Sequence, residues 1–262
     1  MEAGQLVIVR LRRLAASLVV PVLLILSYQQ YATARHNLYF PSLARIDHAF
    51  AVTWGWHGLV KDAFPSLQNL FIGYFWGLAV ALAAGVVIAQ VWWLKTACEP
   101  ILAFFLALPA VALLPIFLIV FGIGAPMHQF LIAQAVFFQV LVNTVDGMAS
   151  IDAALIESAD VFSIRGWRRL MLIRLPAAAP QILGGARAAL SIAVLVTIVS
   201  ELVGSVHGIG VVVLNAQDNF DFPVMWAGMV FAAIVGIGLN FLFTLLERPF
   251  IRRSGLLATK NG

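Results

Sequence analysis

Six apolar runs, each about the length needed to cross a bilayer, leave this chain few folds to adopt. A spanning helix takes about 20 apolar residues, because a hydrocarbon core of about 30 Å is crossed at 1.5 Å per residue. The runs fall at Leu14–Tyr31, Ser66–Trp93, Ile101–Gly122, Gln129–Met148, Ile182–Val203 and Pro223–Leu246. None has the two-residue alternation of a membrane strand, so the sequence predicts an all-α polytopic membrane protein with six transmembrane helices. Composition agrees: 62% of the 262 residues are hydrophobic and 11% charged, against about 25% charged in soluble domains. Too few polar groups remain to coat a soluble surface. The single cysteine, Cys98, excludes a disulfide scaffold.

The net charge of +4 is explained by topology and points to membrane lipid, not nucleic acid. With the N-terminus inside, the cytoplasmic side holds Arg10, Arg12, Arg13, Lys95, Arg165, Arg168, Arg169, Arg174, Arg187, Arg248, Arg252, Arg253 and Lys260, and the outer side only Arg35, Arg45 and Lys61. This is the positive-inside bias, and it predicts both termini in the cytoplasm. Arg10–Arg13, the following apolar run and Ala32-Thr33-Ala34 also imitate a signal peptide. The polar Ser27–Tyr31 stretch before that site favours an uncleaved anchor.

The connections differ in kind. Arg35–Pro65 is a long outer segment with an amphipathic stretch at Leu43–Trp54, and Trp54, Trp56 and Phe64 suit an interfacial aromatic belt. Leu94–Pro100 and Ile123–Met127 are short loops, which makes spans two, three and four antiparallel neighbours. Gly204–Phe222 carries Gly204, Gly208 and Gly210 around an apolar Val211–Leu214 run, the pattern of a partly buried or re-entrant piece. Within span two, Gly73, Gly77, Ala81 and Gly85 permit close helix approach. The chain divides into an anchor and outer segment (1–64), a transmembrane core (65–250) and a tail (251–262).

The motifs of catalysis are missing. None of the three lysines follows a glycine, as a phosphate-binding loop requires. No serine occupies a G-x-S-x-G elbow, and no pair of the five histidines has H-x-x-x-H spacing. The chain is expected to be no enzyme and to bind no cofactor or metal; its energy must come from another polypeptide or an ion gradient.

The informative segment is Ser150–Gln181, a basic insertion between spans four and five. Ile151, Leu155, Ala159 and Phe162 recur at helical spacing and share one face, with Glu157 and Asp160 off it. Ser163-Ile164-Arg165-Gly166 then breaks the helix, Trp167–Arg174 starts a second, and Leu175-Pro176 is expected to stop it. Pro180 would open span five. Two readings of this helix–turn–helix stand side by side: a rigid docking element, and a solvated inner loop that obeys the positive-inside rule.

Glu157-Ser158-Ala159, Ser163 and the later Leu175-Pro176 resemble the E-A-A motif of ABC-importer permeases, E-A-A-x-x-x-G followed by a distant L-P. Ser158 stands for the second alanine and Ser163 for the glycine. Leu108-Pro109, Leu114-Pro115, Phe121-Gly122-Ile123-Gly124, Asn143-Thr144 and Ser200-Glu201-Leu202-Val203-Gly204 through Gly208-Ile209-Gly210 are similar to the nitrate/sulfonate/taurine branch of that family. The likeness runs from about Pro65 to the end. It implies a type I, MetI-like permease fold in the bacterial inner membrane. A second permease copy would complete a homodimer, and a cytoplasmic ABC ATPase dimer would hold ATP and Mg. A binding protein would deliver a small nitrate-, sulfonate- or taurine-like solute from outside. The residues that would couple to the ATPase are Glu157, Ser158, Ala159, Asp160, Ser163, Ile164, Arg165, Gly166, Leu175 and Pro176.

Pro109, Pro115, Asn143 and Glu201 are the candidate residues of the path. The two prolines free carbonyls and bend span three, and bent helices line pathways. A charged group in hydrocarbon costs about 2.5–3.5 kcal/mol on insertion scales unless paired or hydrated. A negative charge also suits an anionic cargo badly, so pairing is the expected role of Glu201. Asp146 lies with Asn143 near the inner end of span four, and His207 in the outer loop. Two other classes remain: a gradient-driven carrier or channel acting without an ATPase, which needs paired ionisable groups at mid-membrane, and a membrane enzyme, which needs a catalytic cluster.

Overall fold

The computed structural model describes residues 19–34 and 38–253. The expectations placed on Arg10–Arg13, the start of the first run, Arg35 and Lys260 lie outside them. Among the described residues all regular structure is helical. In chain order the helices are α1 (Val19–Ala34), α2 (Leu43–Thr53), α3 (Trp56–Gln90), α4 (Trp92–Ala107), α5 (Ala110–Phe121), α6 (Ala125–Ala149), α7 (Ala153–Val161), α8 (Gly166–Gly204), α9 (Ile209–Asp218) and α10 (Phe222–Arg253).

Four of these, α3, α6, α8 and α10, are each long and apolar enough to cross a membrane. α4 and α5 reach that length only together, and α1 is shorter within the described residues. In place of a straight third span there is a helix pair bent by 90° at its break, the geometry of a broken span or of a re-entrant loop. Leu108, held extended by the proline after it (φ −80°, ψ 120°), and Pro109 itself (φ −59°, ψ 121°) both leave the helical region, so the helix ends there rather than curving. Pro115 acts differently from expectation. It stands in the first turn of the Leu114–Phe121 segment, where its missing N–H removes no bond.

Two other boundaries also differ from the sequence reading. The Leu94–Pro100 stretch is part of α4, and the break is the single extended residue Val91 (φ −117°, ψ 102°); Ala97 is a strong helix former, and Lys95 and Glu99 are good ones despite their charge. Leu175-Pro176 does not stop a helix, and Pro180 lies inside one. α8 runs unbroken for 39 residues because its turn at Leu170–Arg174 widens to a π-helical turn, with the Leu175 N–H bonded to the Leu170 carbonyl. That widening takes up the bond and the space that Pro176 would otherwise disrupt. The same device, Leu59–Ala63, precedes Pro65 in α3.

α6 is the central helix, sandwiched between α3 and α8. Its buried Leu131, Val136, Val140 and Leu141 interlock with Leu70, Ala81, Ala189, Ala193 and Val196 of those two helices. The small residues of α3 make this possible. A Cβ on Gly77 would lie 2.5 Å from the Ala133 carbonyl, and one on Gly85 2.7 Å from Thr144 Cβ. α1 and α2 pack on α10 through Tyr28, Ile46, Ala49 and Ala227. Trp54 belongs to this packing, not to an interfacial belt: it is buried and stacked on Phe231 with ring centroids 3.9 Å apart. Trp56 and Phe64 are exposed, as a belt requires.

Candidate functional site: the loop helix and the polar groups of the spans

α7 is built by local rules. Asp152 caps it, its Oδ1 accepting the Ala154 N–H at 2.9 Å. At the other end the Ile164 N–H reaches the Ala159 carbonyl (2.8 Å) and the Ser163 N–H the Asp160 carbonyl (2.9 Å), the paired bonds of a Schellman cap. Such a cap needs a left-handed residue, and Ser163 supplies it at φ 56°. This is the position where the E-A-A pattern has glycine. Gly166, at φ 59°, makes the second left-handed bend and starts α8.

The loop is braced across the turn. Arg169 forms an ion pair with Asp160, and its Nε donates to the Ile164 carbonyl at 3.2 Å. Ser158 Oγ donates back to the Ala154 carbonyl at 2.7 Å. Of the predicted apolar stripe, Ala159 is buried, whereas Leu155 and Phe162 are exposed. Glu157 is exposed too. Val161 (82% exposed) and Trp167 (69%) add to the uncovered apolar surface. Leu175 packs on Met148 and Leu170 at the root of the loop, and Pro176 and Arg165 are exposed. Thus a short, stiffly held helix stands off the bundle with large side chains uncovered.

The candidate path residues do not form one cluster. Asn143, in α6, accepts from Gln181 Nε2 of α8 at 3.2 Å and donates to the Gln139 carbonyl. A Cβ on Gly185 would meet its Cβ at 2.3 Å. Pro109 and Pro115 are exposed on the broken α4–α5 pair, and Asp146 is exposed at the α7 end of α6. Glu201, 1% exposed, is at the opposite end. There its Oε2 accepts the Gly210 N–H at 2.9 Å while Ser66 Oγ accepts the Ile209 N–H at 2.9 Å. Both bonds satisfy orphan donors in the first turn of α9, where a negative group is also favoured by the helix dipole. Glu201 therefore pins the α9 segment to α8. Gly208 is required beside it: a Cβ there would sit 2.5 Å from the carboxyl carbon, and its φ is +150°. His207 stands 3.6 Å from Asp62 in the same region.

Polar pairs that the sequence reading passed over tie the spans together. His128, 2% exposed in α6, contacts Ser200 Oγ through Nδ1 (3.0 Å) and the Gly204 carbonyl through Nε2 (3.1 Å). The second contact requires the Nε2–H form. Tyr74 Oη donates to the Ala186 carbonyl at 2.9 Å, and Arg187 bonds Glu247 at 2.9 Å. The i, i+4 recurrence of Arg187 with Ser191 and of Asn240 with Thr244 was a legible signal for a polar face on two spans. Among the described residues no group of three or more His, Cys, Asp or Glu side chains is placed to hold a metal.

Residues 73–255 match the family model described as "Binding-protein-dependent transport system inner membrane component". The chain belongs to this family. The permease is 31% identical over 187 residues to the putative aliphatic sulfonates transport permease SsuC of Bacillus subtilis, covering 71% of this chain and 68% of that one. It is 33% identical over 164 residues to the riboflavin transport system permease RibX of Chloroflexus aurantiacus, covering 63% and 61%. Its fold resembles an inward-facing structure of the MetNI methionine ABC transporter, with a TM-score of 0.64, 19% identity and coverage of 75% and 95%. The chain is thus an all-helical membrane permease, a subunit of a binding-protein-dependent ABC importer.

Proposed function

We propose that the permease carries no motor of its own and is worked through α7 by a separate cytoplasmic ATPase pair that holds ATP and Mg. The supporting observation is the construction of the loop: capped at both ends, braced by the Asp160–Arg169 pair, and leaving Leu155, Val161, Phe162 and Trp167 uncovered. Four large apolar side chains in one projection are a surface that favours a partner over water. α8 is about twice the length a bilayer needs, so a push on α7 reaches the span through one continuous helix. In this reading Glu157, Ser158, Ala159, Asp160, Ser163, Ile164, Arg165 and Gly166 form the seat, and Leu175 and Pro176 its root.

Two copies of the chain pair in the inner membrane with both termini in the cytoplasm, and residues 65–250 form the core. A binding protein delivers the cargo on the outer side, a small organic anion of the sulfonate type by likeness to SsuC. Asn143 lies by the inner opening; Pro109 and Pro115 shape the broken wall, and Glu201 holds the outer segment shut on α8.

The test is reconstitution with an ATPase and a binding protein. Glu157→Ala and Phe162→Ala should uncouple ATP hydrolysis from uptake and lower co-purification of the ATPase. Uptake that persists at full rate in both variants, or that needs no ATPase, overturns the proposal.

A further inference from the structure

The exposed faces of α8 and α10 are largely apolar, with one polar stretch between them. α10 presents large apolar residues outward, among them Val230, Ile234, Leu242 and Leu246, the surface that lipid requires. The face that α8 exposes beside it carries Arg187, Ala188 and Ser191 and, one turn further along, Leu195. Across a groove of about 700 Å³ it meets Asn240 and Thr244 of α10 at one end, the rest of the groove being lined by apolar residues such as Leu195, Ile237 and Phe241. Ser191 and Asn240 exchange hydrogen bonds at 3.0 and 3.3 Å. The Arg187 side chain is 46% exposed and uses one nitrogen on Glu247, which is nearly buried. Arg187 stands near the inner end of its span, where an arginine is still costly against hydrocarbon, and such residues face water or a polar partner. Glu247 engages one end of the guanidinium; the planar fork has further donors suited to two oxygens of one anion. Hydroxyl and amide groups lie in the same groove.

We propose that the polar end of this groove is a hydrated site for an oxyanion of the sulfonate or phosphate type, received by Arg187 with Ser191, Asn240 and Thr244 as hydrogen-bonding neighbours, the apolar remainder of the groove taking the carbon chain that carries it. The oxyanion is either the charged group of a passing solute or the phosphate of an inner-leaflet lipid. The site does not depend on how the ATPase docks.

The test uses the permease with its ATPase in phosphatidylcholine vesicles, with Cys98 replaced by alanine and single cysteines introduced as Ser191→Cys, Asn240→Cys and Leu242→Cys. Modification is followed with a sulfonate-bearing thiosulfonate reagent and with its trimethylammonium counterpart. Cysteines at 191 and 240 should react at least about tenfold faster than the one at 242, with preference for the sulfonate reagent. Arg187→Gln should abolish that preference, as should the double variant Arg187→Gln/Glu247→Gln, which leaves no unpaired buried charge. Added inorganic sulfate should slow the reaction if the site serves solute. Phosphatidylglycerol vesicles should slow it instead if it serves lipid. Equal, slow reaction at all three positions overturns the proposal, as does a sulfonate preference that survives both Arg187 variants. Loss of ATP-coupled uptake in the α7 variants with this labelling pattern intact would concern only the docking proposal.

Discussion

Glu201 Oε2 lies 2.9 Å from the backbone nitrogen of Gly210, so a carboxyl group of α8 closes the first turn of α9. Glu201→Gln retains an acceptor for that N–H and should fold nearly as well as the parent. Glu201→Ala leaves a buried donor unmet and should lower stability by about 1–3 kcal/mol, the cost of an unsatisfied buried polar group. Thermal unfolding in detergent distinguishes the two. Gly208→Ala should also destabilise, because its Cβ would meet the same carboxyl at 2.5 Å. In the Glu201→Ala background most of that steric part should vanish, while the strain at φ +150° remains.

Ser163 holds the left-handed position of the α7 cap at φ 56°. A side chain there costs roughly 1 kcal/mol relative to glycine. Ser163→Gly should therefore stabilise the loop by about that amount, and Ser163→Val should weaken it by more, since β-branching makes positive φ worse. Hydrogen exchange of the Ile164 and Ser163 amides, whose acceptors are Ala159 and Asp160, measures the change directly.

Asp160 and Arg169 contribute unequally. Asp160 is more than half exposed and Arg169 mostly covered, and Arg169 also bonds the Ile164 carbonyl. A double-mutant cycle with alanine should give a coupling of about 0.2–1 kcal/mol that falls with added salt. Arg169→Ala alone should cost more than Asp160→Ala. Equal single effects would show that the carbonyl bond adds nothing.

The apolar runs and the small residues Gly73, Gly77 and Gly85 make the helical bundle and a close approach by α3 legible in the sequence, because length and close approach are properties of single segments; that the partner is α6 and not the next span in the chain is not, since short loops favour consecutive neighbours. The helix at 153–161 was legible from its period. Its cap chemistry was half legible, since a serine in a glycine position says nothing of φ until the Schellman bonds are seen. Prolines misled in both directions. Pro109 ends a helix where a bend was expected, and Pro176 ends nothing, because a π-helical turn before it relieves the clash. That compensation lies in the backbone of neighbouring residues and has no residue signature. Pairing is the role the sequence suggests for Glu201 beside its place among the path candidates, but the backbone N–H of Gly210 that it meets, next to the Ser66-capped Ile209, comes from a loop fold that one-dimensional spacing does not define. His128 with Ser200 was missed for the same reason, with 72 residues between them.

Two glycines of the spans should respond to alanine with opposite signs. At Gly77 of α3 a Cβ would approach the Ala133 carbonyl to 2.5 Å and Val136 Cβ to 2.9 Å. Neither can swing aside, since one is main chain and the other a stiff branched residue on the central helix. Gly77→Ala must therefore separate α3 from α6, and overpacking of this kind costs about 1–3 kcal/mol. At Gly184 of α8 a Cβ meets nothing within 4 Å. There alanine only removes unfolded-state freedom and improves helix propensity, worth about 0.4–1 kcal/mol. Thermal midpoints in one detergent should thus fall for Gly77→Ala and rise for Gly184→Ala. A fall in both would mean that the face around Gly184 is covered by another copy of the chain, since open space cannot penalise a methyl group.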